Sequence, residues 1–228
     1  MQFEALKSLA QCKAADVLVL PFWKGKKTAE AAAVLGALEK DVKHPAELGD
    51  FTGKEGDTAL LYCAGRKEKR VVLLGLGEQD KVDIERLRRA YGTLGGLCRK
   101  LKAKTLNILP PQTKMNEETV VTGICEGLLL TNYAFEEHRG QLEEPAVLLS
   151  KAGLVGVGKS GMAKAKHVAT VCEGVYQARN LTNRNADEVT PSYLAELAKR
   201  WGQEFSTVKT TVFNKARIEK EKMGLLLA

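Results

Sequence analysis

Apolar positions along this chain follow two periods in turn. Compact runs fall at residues 15–22 (ADVLVLPF), 58–64 (TALLYCA), 70–74 (RVVLL), 105–109 (TLNIL) and 146–149 (AVLL). Short runs rich in Val, Leu and Ile, two of them stopped by Pro21 and by Pro110-Pro111, predict buried strands. The pair at 58–64 and 70–74, around GRKEK, predicts a hairpin or neighbouring strands in the centre of a sheet. Between the runs, apolar residues recur every three or four positions. Ile84, Leu87, Tyr91, Leu94, Cys98 and Leu101 line one face of a helix predicted over 83–101, with Asp83 as its N-cap. Asn116 opens another, with Glu117 and Glu118 well placed in its first turn and Val121, Ile124 and Leu128 as its buried stripe. That helix is expected to end near Tyr133-Ala134-Phe135. An alanine-rich stretch at 28–40 predicts a short helix, and His44-Pro45 with the glycines of 49–56 predicts a loop.

The second half carries a long helical pattern over 162–181, with Val168, Cys172 and Val175 on one face. Residues 183–189 (NRNADEV) lose that period and are rich in turn formers. Thr190-Pro191 then reads as an N-cap followed by proline at the first helical position, opening a helix buried through Leu194, Leu197 and Trp201. A strand over 207–213 and a short charged helix over 216–222 complete the reading. Strand and helix alternate from residue 15 to about 157, which predicts an α/β layer structure with a mixed sheet between helices. Three segments are expected: an N-terminal α/β domain over 1–157, interdomain helices and connector over 158–204, and the first strand and helix of a further, incomplete domain over 205–228.

Composition narrows the class. Of 228 residues, 44% are hydrophobic and 28% charged, as in ordinary globular proteins. No apolar run reaches the roughly 20 residues that cross a bilayer, and residues 1–20 lack the layout of a signal peptide. Five scattered cysteines (Cys12, Cys63, Cys98, Cys125, Cys172), an odd number without CxxC spacing, fit a reducing cytoplasm. The net charge of +7 is spread in short clusters, which weakly supports an anionic partner such as nucleic acid.

One motif stands out. Residues 153–160, GLVGVGKS, match the phosphate-binding pattern GxxxxGK[ST], in which backbone N–H groups cradle phosphates, Lys159 reaches the terminal ones and Ser160 holds magnesium. No apolar strand ending in a magnesium-orienting Asp follows; residues 208–213 end in Asn214. The stretch therefore reads as a glycine-rich connector. Gly75-Leu76-Gly77 likewise reads as a tight exit turn. His44, His138 and His167 are far apart and belong to no metal-ligand pattern, and Glu136-Glu137 and Glu143-Glu144 read as solvated acids.

Several segments in order resemble the leucyl aminopeptidase (M17, cytosol aminopeptidase) family. Residues 71–77 (VVLLGLG) resemble its strand leading into a GLG turn, and 126–135 (EGLLLTNYAF) its helix ending in Tyr-x-Phe. Residues 179–195 resemble its interdomain segment, and 223–228 (MGLLLA) its Met-Gly opening of the catalytic domain. The connector, with Asn183, Asn185 and Asp187, lacks the proline usual there. The resemblance implies a macro-domain-like N-terminal fold and a homohexameric exopeptidase acting on the N-termini of peptides. Two divalent ions (Zn, Mn or Mg) are implied in a C-terminal catalytic domain. The family's metal ligands and catalytic residues lie beyond the Met-Gly segment, so the resemblance assigns no catalytic, cofactor-binding or metal-binding residue here, and this chain alone is expected to be inactive. The rival expectation is a macro-like module for nucleic acid or a phosphate-bearing ligand.

Overall fold

A computed structural model describes residues 1–9, 13–25, 39–63, 67–137 and 145–227. The expected helix at 28–40 lies almost wholly outside these residues, as do Cys12, His138, Glu143 and Glu144. Two compact units are present, Met1–Tyr176 and Gln177–Ala228.

The first unit is built on a six-stranded mixed sheet. Its strands are β1 (Gln2–Leu6), β2 (Val17–Phe22), β3 (Thr58–Tyr62), β4 (Arg70–Gly75), β5 (Thr105–Ile108) and β6 (Lys151–Val155), in the spatial order β1-β6-β5-β2-β4-β3. All neighbours run parallel except β3, which pairs antiparallel with β4, Leu60 facing Val72. The apolar run of β2 is buried on both faces because it sits centrally between β4 and β5. One face of the sheet, through Val17, Val19, Val72, Leu74, Leu106, Ile108, Ala152 and Leu154, packs into a large core with helical side chains such as Leu87, Leu94, Ile124 and Leu128. The other face, through Leu18, Leu20, Val71 and Leu73, is equally dry, with Phe51 standing edge-on to Phe22 at 5.6 Å. Each such fully buried side chain contributes roughly 1.5–3 kcal/mol relative to exposure.

The helices are α1 (Glu39–Glu47), α2 (Ile84–Lys100), α3 (Glu117–Thr131), α4 (Lys159–Asn183), α5 (Pro191–Glu204) and α6 (Lys215–Lys220). The caps read from the sequence are in place: Asp83 accepts from Arg86 N at 2.8 Å, Asn116 from Thr119 N at 2.8 Å and Thr190 from Tyr193 N at 3.2 Å. Helices α2 and α3 approach through glycine. A Cβ on Gly127 would stand 2.5 Å from Arg88 O, and one on Gly123 2.7 Å from Leu87 Cβ.

Several elements depart from the sequence reading. The hairpin lies at the sheet edge, where β3 is only half-buried, and not at its centre. His44-Pro45 sits inside α1 and not in a loop; the proline lacks the N–H that would donate to the carbonyl four residues back, and the helix stops two residues later. Strand β1 has no counterpart in the sequence pattern; its five residues, QFEAL, form a short, half-exposed strand as befits an edge. Residues 146–149 form no ladder, because the Asn132 amide takes both backbone groups of Leu149, accepting from its N–H at 2.7 Å and donating to its C=O at 2.8 Å. The strand forms next door instead, at β6.

In the second unit, α5 buries none of its residues; of its predicted stripe, Leu194 is exposed and Leu197 and Trp201 are only part-covered. Residues 207–213 form no strand with the described residues; Thr210 Oγ1 instead donates to Ala198 O of α5 at 2.8 Å. Arg217 lies over the Phe213 ring at 4.0 Å. No helix among the described residues is long and apolar enough to cross a membrane.

Candidate functional site

The phosphate-loop pattern at 153–160 is where the sequence placed its most specific chemistry, and the fold distributes it differently. Gly153 lies within β6 and is not part of a connector. A Cβ there would meet Leu6 Cδ1 at 2.4 Å and Asn107 Oδ1 at 3.0 Å, so glycine is needed for strand packing. The turn is only 156–158, Gly156 having a left-handed φ of 74°. Helix α4 then starts at Lys159, and its first N–H groups already hold an anion, one from this chain. Gly158 N donates to Glu117 Oε1 at 2.9 Å and Gly161 N donates to Glu117 Oε2 at 3.0 Å. Ser160 Oγ donates to Glu118. Two N–H donors at the start of α4, and the hydroxyl that would hold magnesium, are thus spent on two carboxylates from the first turn of α3.

The GLG turn is closed in the same way. Gly75 is pressed against the preceding loop, where an added Cβ would fall 2.1 Å from Lys54 O, and Gly77 N donates to Gly53 O at 2.9 Å. Backbone of this chain fills the space a ligand would need. A cleft of about 530 Å³ does open at the carboxyl ends of β5 and β6, walled by Leu109, Pro111, Met115, Val121, Val155 and Val157. Its wall is largely apolar, and the acid at its rim, Glu117, is the one that caps α4.

The titratable residues are scattered. His44 is exposed at the end of α1 and His167 is exposed on α4. Glu136 accepts from Ala146 N at 2.7 Å. Glu68 is buried at 4% exposure and accepts from Asn107 Nδ2 at 3.2 Å. Cys98, Cys125 and Cys172 are buried, as their helical spacing implied. Burial pushes the Cys98 thiol up to about 12 and also raises Cys125 and Cys172, so these are neutral packing groups and not nucleophiles. Among the described residues, no three His, Cys, Asp or Glu side chains come together in a way that could hold a metal ion.

The mixed six-stranded sheet with its helices matches known proteins in both sequence and fold. The sequence model of the cytosol aminopeptidase family, N-terminal domain, matches residues 19–141, more than half of the chain. A "probable cytosol aminopeptidase" of Protochlamydia amoebophila is 48% identical over 231 aligned positions, which cover all of this chain and 46% of that protein. Another so named, from Chlamydia felis, is 35% identical over 231 positions, covering 99% of this chain and 46% of the relative. Among solved structures, a mutant of tomato leucine aminopeptidase superposes with a TM-score of 0.83 at 20% identity, over 97% of this chain and 46% of that one. The bottromycin maturation enzyme BotP superposes with a TM-score of 0.69 at 17% identity, over 91% and 41%; it has also been solved in complex with Mn. These structural likenesses establish a shared α/β fold. The chain belongs to the cytosol aminopeptidase family, within the region that includes its N-terminal domain. It spans about half the length of the curated relatives it matches.

Proposed function

We propose that this chain is the N-terminal, non-catalytic portion of a metal-dependent leucyl aminopeptidase, serving assembly or regulation, and that by itself it does not hydrolyse peptides. The observation that carries the reading is the alignment: the family's N-terminal domain matches residues 19–141, and relatives named as aminopeptidases extend to about twice this length. On this reading residues 1–157 are the α/β domain, 158–204 the interdomain helices and connector, and 205–228 the opening of the catalytic domain. Exposed apolar residues at Phe205, Val212 and Leu225–Leu227 support it, because a following domain would give them something to cover.

In the full-length protein, two divalent ions would generate the attacking hydroxide and the substrate would be the N-terminal residue of a peptide. The described residues do not fit such a pair of ions, and no step of metal chemistry is assigned to this chain. A cytoplasmic location and a homohexamer belong to the same proposal. Phosphate binding at 153–160 is disfavoured because Glu117 accepts from the N–H groups of Gly158 and Gly161 at the start of α4; the rival reading, a macro-like module for nucleic acid or a phosphate-bearing ligand, predicts a salt-sensitive mobility shift with DNA or RNA. The test is hydrolysis of leucine p-nitroanilide with manganese, by this 228-residue chain and by a form extended to the length of the relatives. Turnover only by the extended form is expected. Turnover by the 228-residue chain, abolished by chelator, would sink the proposal.

A further inference from the structure

Strand β3 is an edge strand with one open side. Its ladder to β4 is fixed by Gly75 N donating to Asp57 O at 2.8 Å and Cys63 N donating to Lys69 O at 2.9 Å. In an antiparallel pair, hydrogen-bonded residues alternate, so Asp57, Ala59, Leu61 and Cys63 face β4. The N–H and C=O groups of Thr58, Leu60 and Tyr62 therefore point the other way. Among the described residues nothing bonds to them, although α1 lies beside the strand.

Such edges are ordinarily guarded by charge, proline or bulges. The opposite edge, β1, carries Glu4 within it, paired with Lys151 at 2.6 Å, and Lys7 just after it. By contrast β3 reads TALLY, with no charge and no proline, and Tyr62 at its end is 72% exposed.

We propose that β3 pairs with β3 of a second copy of this chain, antiparallel about a two-fold axis through Leu60. The strand is self-complementary in that register. Leu60 meets Leu60 of the second copy, and Thr58 meets its Tyr62, a β-branched residue against an aromatic, which is a favourable cross-strand pair. Charge agrees with the orientation: Asp57 precedes the strand and the exposed Lys69 follows it, and antiparallel pairing brings the Asp57 end of one copy towards the Lys69 end of the other, Glu55 being already paired with Arg86 and Arg89. A peptide ligand of arbitrary sequence gains none of this symmetry. Five residues span only about 17 Å, so the contact is small and the dimer concentration-dependent.

Sedimentation velocity on the 228-residue chain, from low micromolar to submillimolar, tests this. A dimer that grows with concentration is expected. Tyr62→Pro removes one outward N–H and leaves the β4 ladder intact, and should weaken the dimer about tenfold or more without changing the far-UV melting curve. Should that variant fail to fold, Thr58→Lys carries the same expectation. The double variant Thr58→Cys/Tyr62→Cys should oxidise to a dimer cross-linked between positions 58 and 62, since such pairs bring Cα atoms to about 5.5 Å. A chain that stays monomeric throughout overturns the proposal. So does a dimer indifferent to Tyr62→Pro but dissolved by Leu225→Ser/Leu226→Ser, or an edge that captures extended peptides without self-association.

Discussion

Tyr91 is fully buried in α2, and its hydroxyl has no hydrogen-bond partner among the described residues. Burial drives its ionisation far above the ordinary range, so it stays a neutral phenol. A buried hydroxyl without a partner costs about 1–3 kcal/mol of desolvation, which the ring's packing must offset. Tyr91→Phe keeps the ring and discards the cost. The expected outcome is equal or higher stability, up to about 1 kcal/mol, in urea unfolding. Asp16 shows the opposite economy. Its partial burial works against ionisation, but backbone N–H groups of Lys104 and Thr105 donate to it at 2.7 and 3.0 Å and hold its carboxyl below the ordinary 3.8. With the folded value below the unfolded one, its contribution is present above about pH 4 and is lost as pH falls through the folded value. Asp16→Asn should therefore lower the melting temperature at pH 7, and the gap to the parent chain should narrow on acidification. A gap constant across that range would refute the assignment.

At the scale of elements, the closest contact is between α2 and α3. A methyl group at Gly127 would run into backbone, Arg88 O at 2.5 Å and Gly92 N at 3.0 Å, with Tyr91 Cβ at 2.9 Å. Backbone cannot rotate aside, so Gly127→Ala should cost about 1–3 kcal/mol in denaturant unfolding. Gly96→Ala in α2 is the control: it meets nothing within 4 Å, and should stabilise by about 0.5–1 kcal/mol through helix propensity alone. Glu117 links two elements, since its carboxylate caps α4 from the first turn of α3. Glu117→Ala should cost about 0.5–2 kcal/mol, as lost helix caps do. Periodicity in the sequence was enough to locate α2, α3, their caps, β2 and β4, because each is a long or wholly buried pattern with its own local signal. It misplaced β6 and missed β1, since whether a short run joins a ladder depends on a partner distant in sequence, here Leu6 against Val155. The glycine motif at 153–160 misled for a related reason. Its letters are the same whether an incoming phosphate or Glu117, over forty residues away, takes the N–H groups.

The two units differ in what secures them, and this sets the last expectation. The first holds a core on each face of its sheet, in which Val17, Val19, Leu20, Val71 to Leu74, Leu87 and Ile124 have no exposure. The second has regular helices with good caps, Thr190 on α5 and Asn214 on α6, yet buries no residue in either. Its apolar residues lie outside instead, Leu225 at 98% exposure being the extreme. Caps and propensity fix the local backbone, but short helices draw most of their stability from tertiary burial. The amides of α5 and α6 should therefore exchange by local opening, at rates orders of magnitude above those of β2 and β4, which open only with the whole first unit. Hydrogen exchange followed by mass spectrometry reads both regions in one experiment. Protection of α5 equal to that of β2 would mean that the second unit is stabilised by burial, through self-association of its apolar face, and protein dilution would then strip the protection from α5 while leaving β2 unchanged.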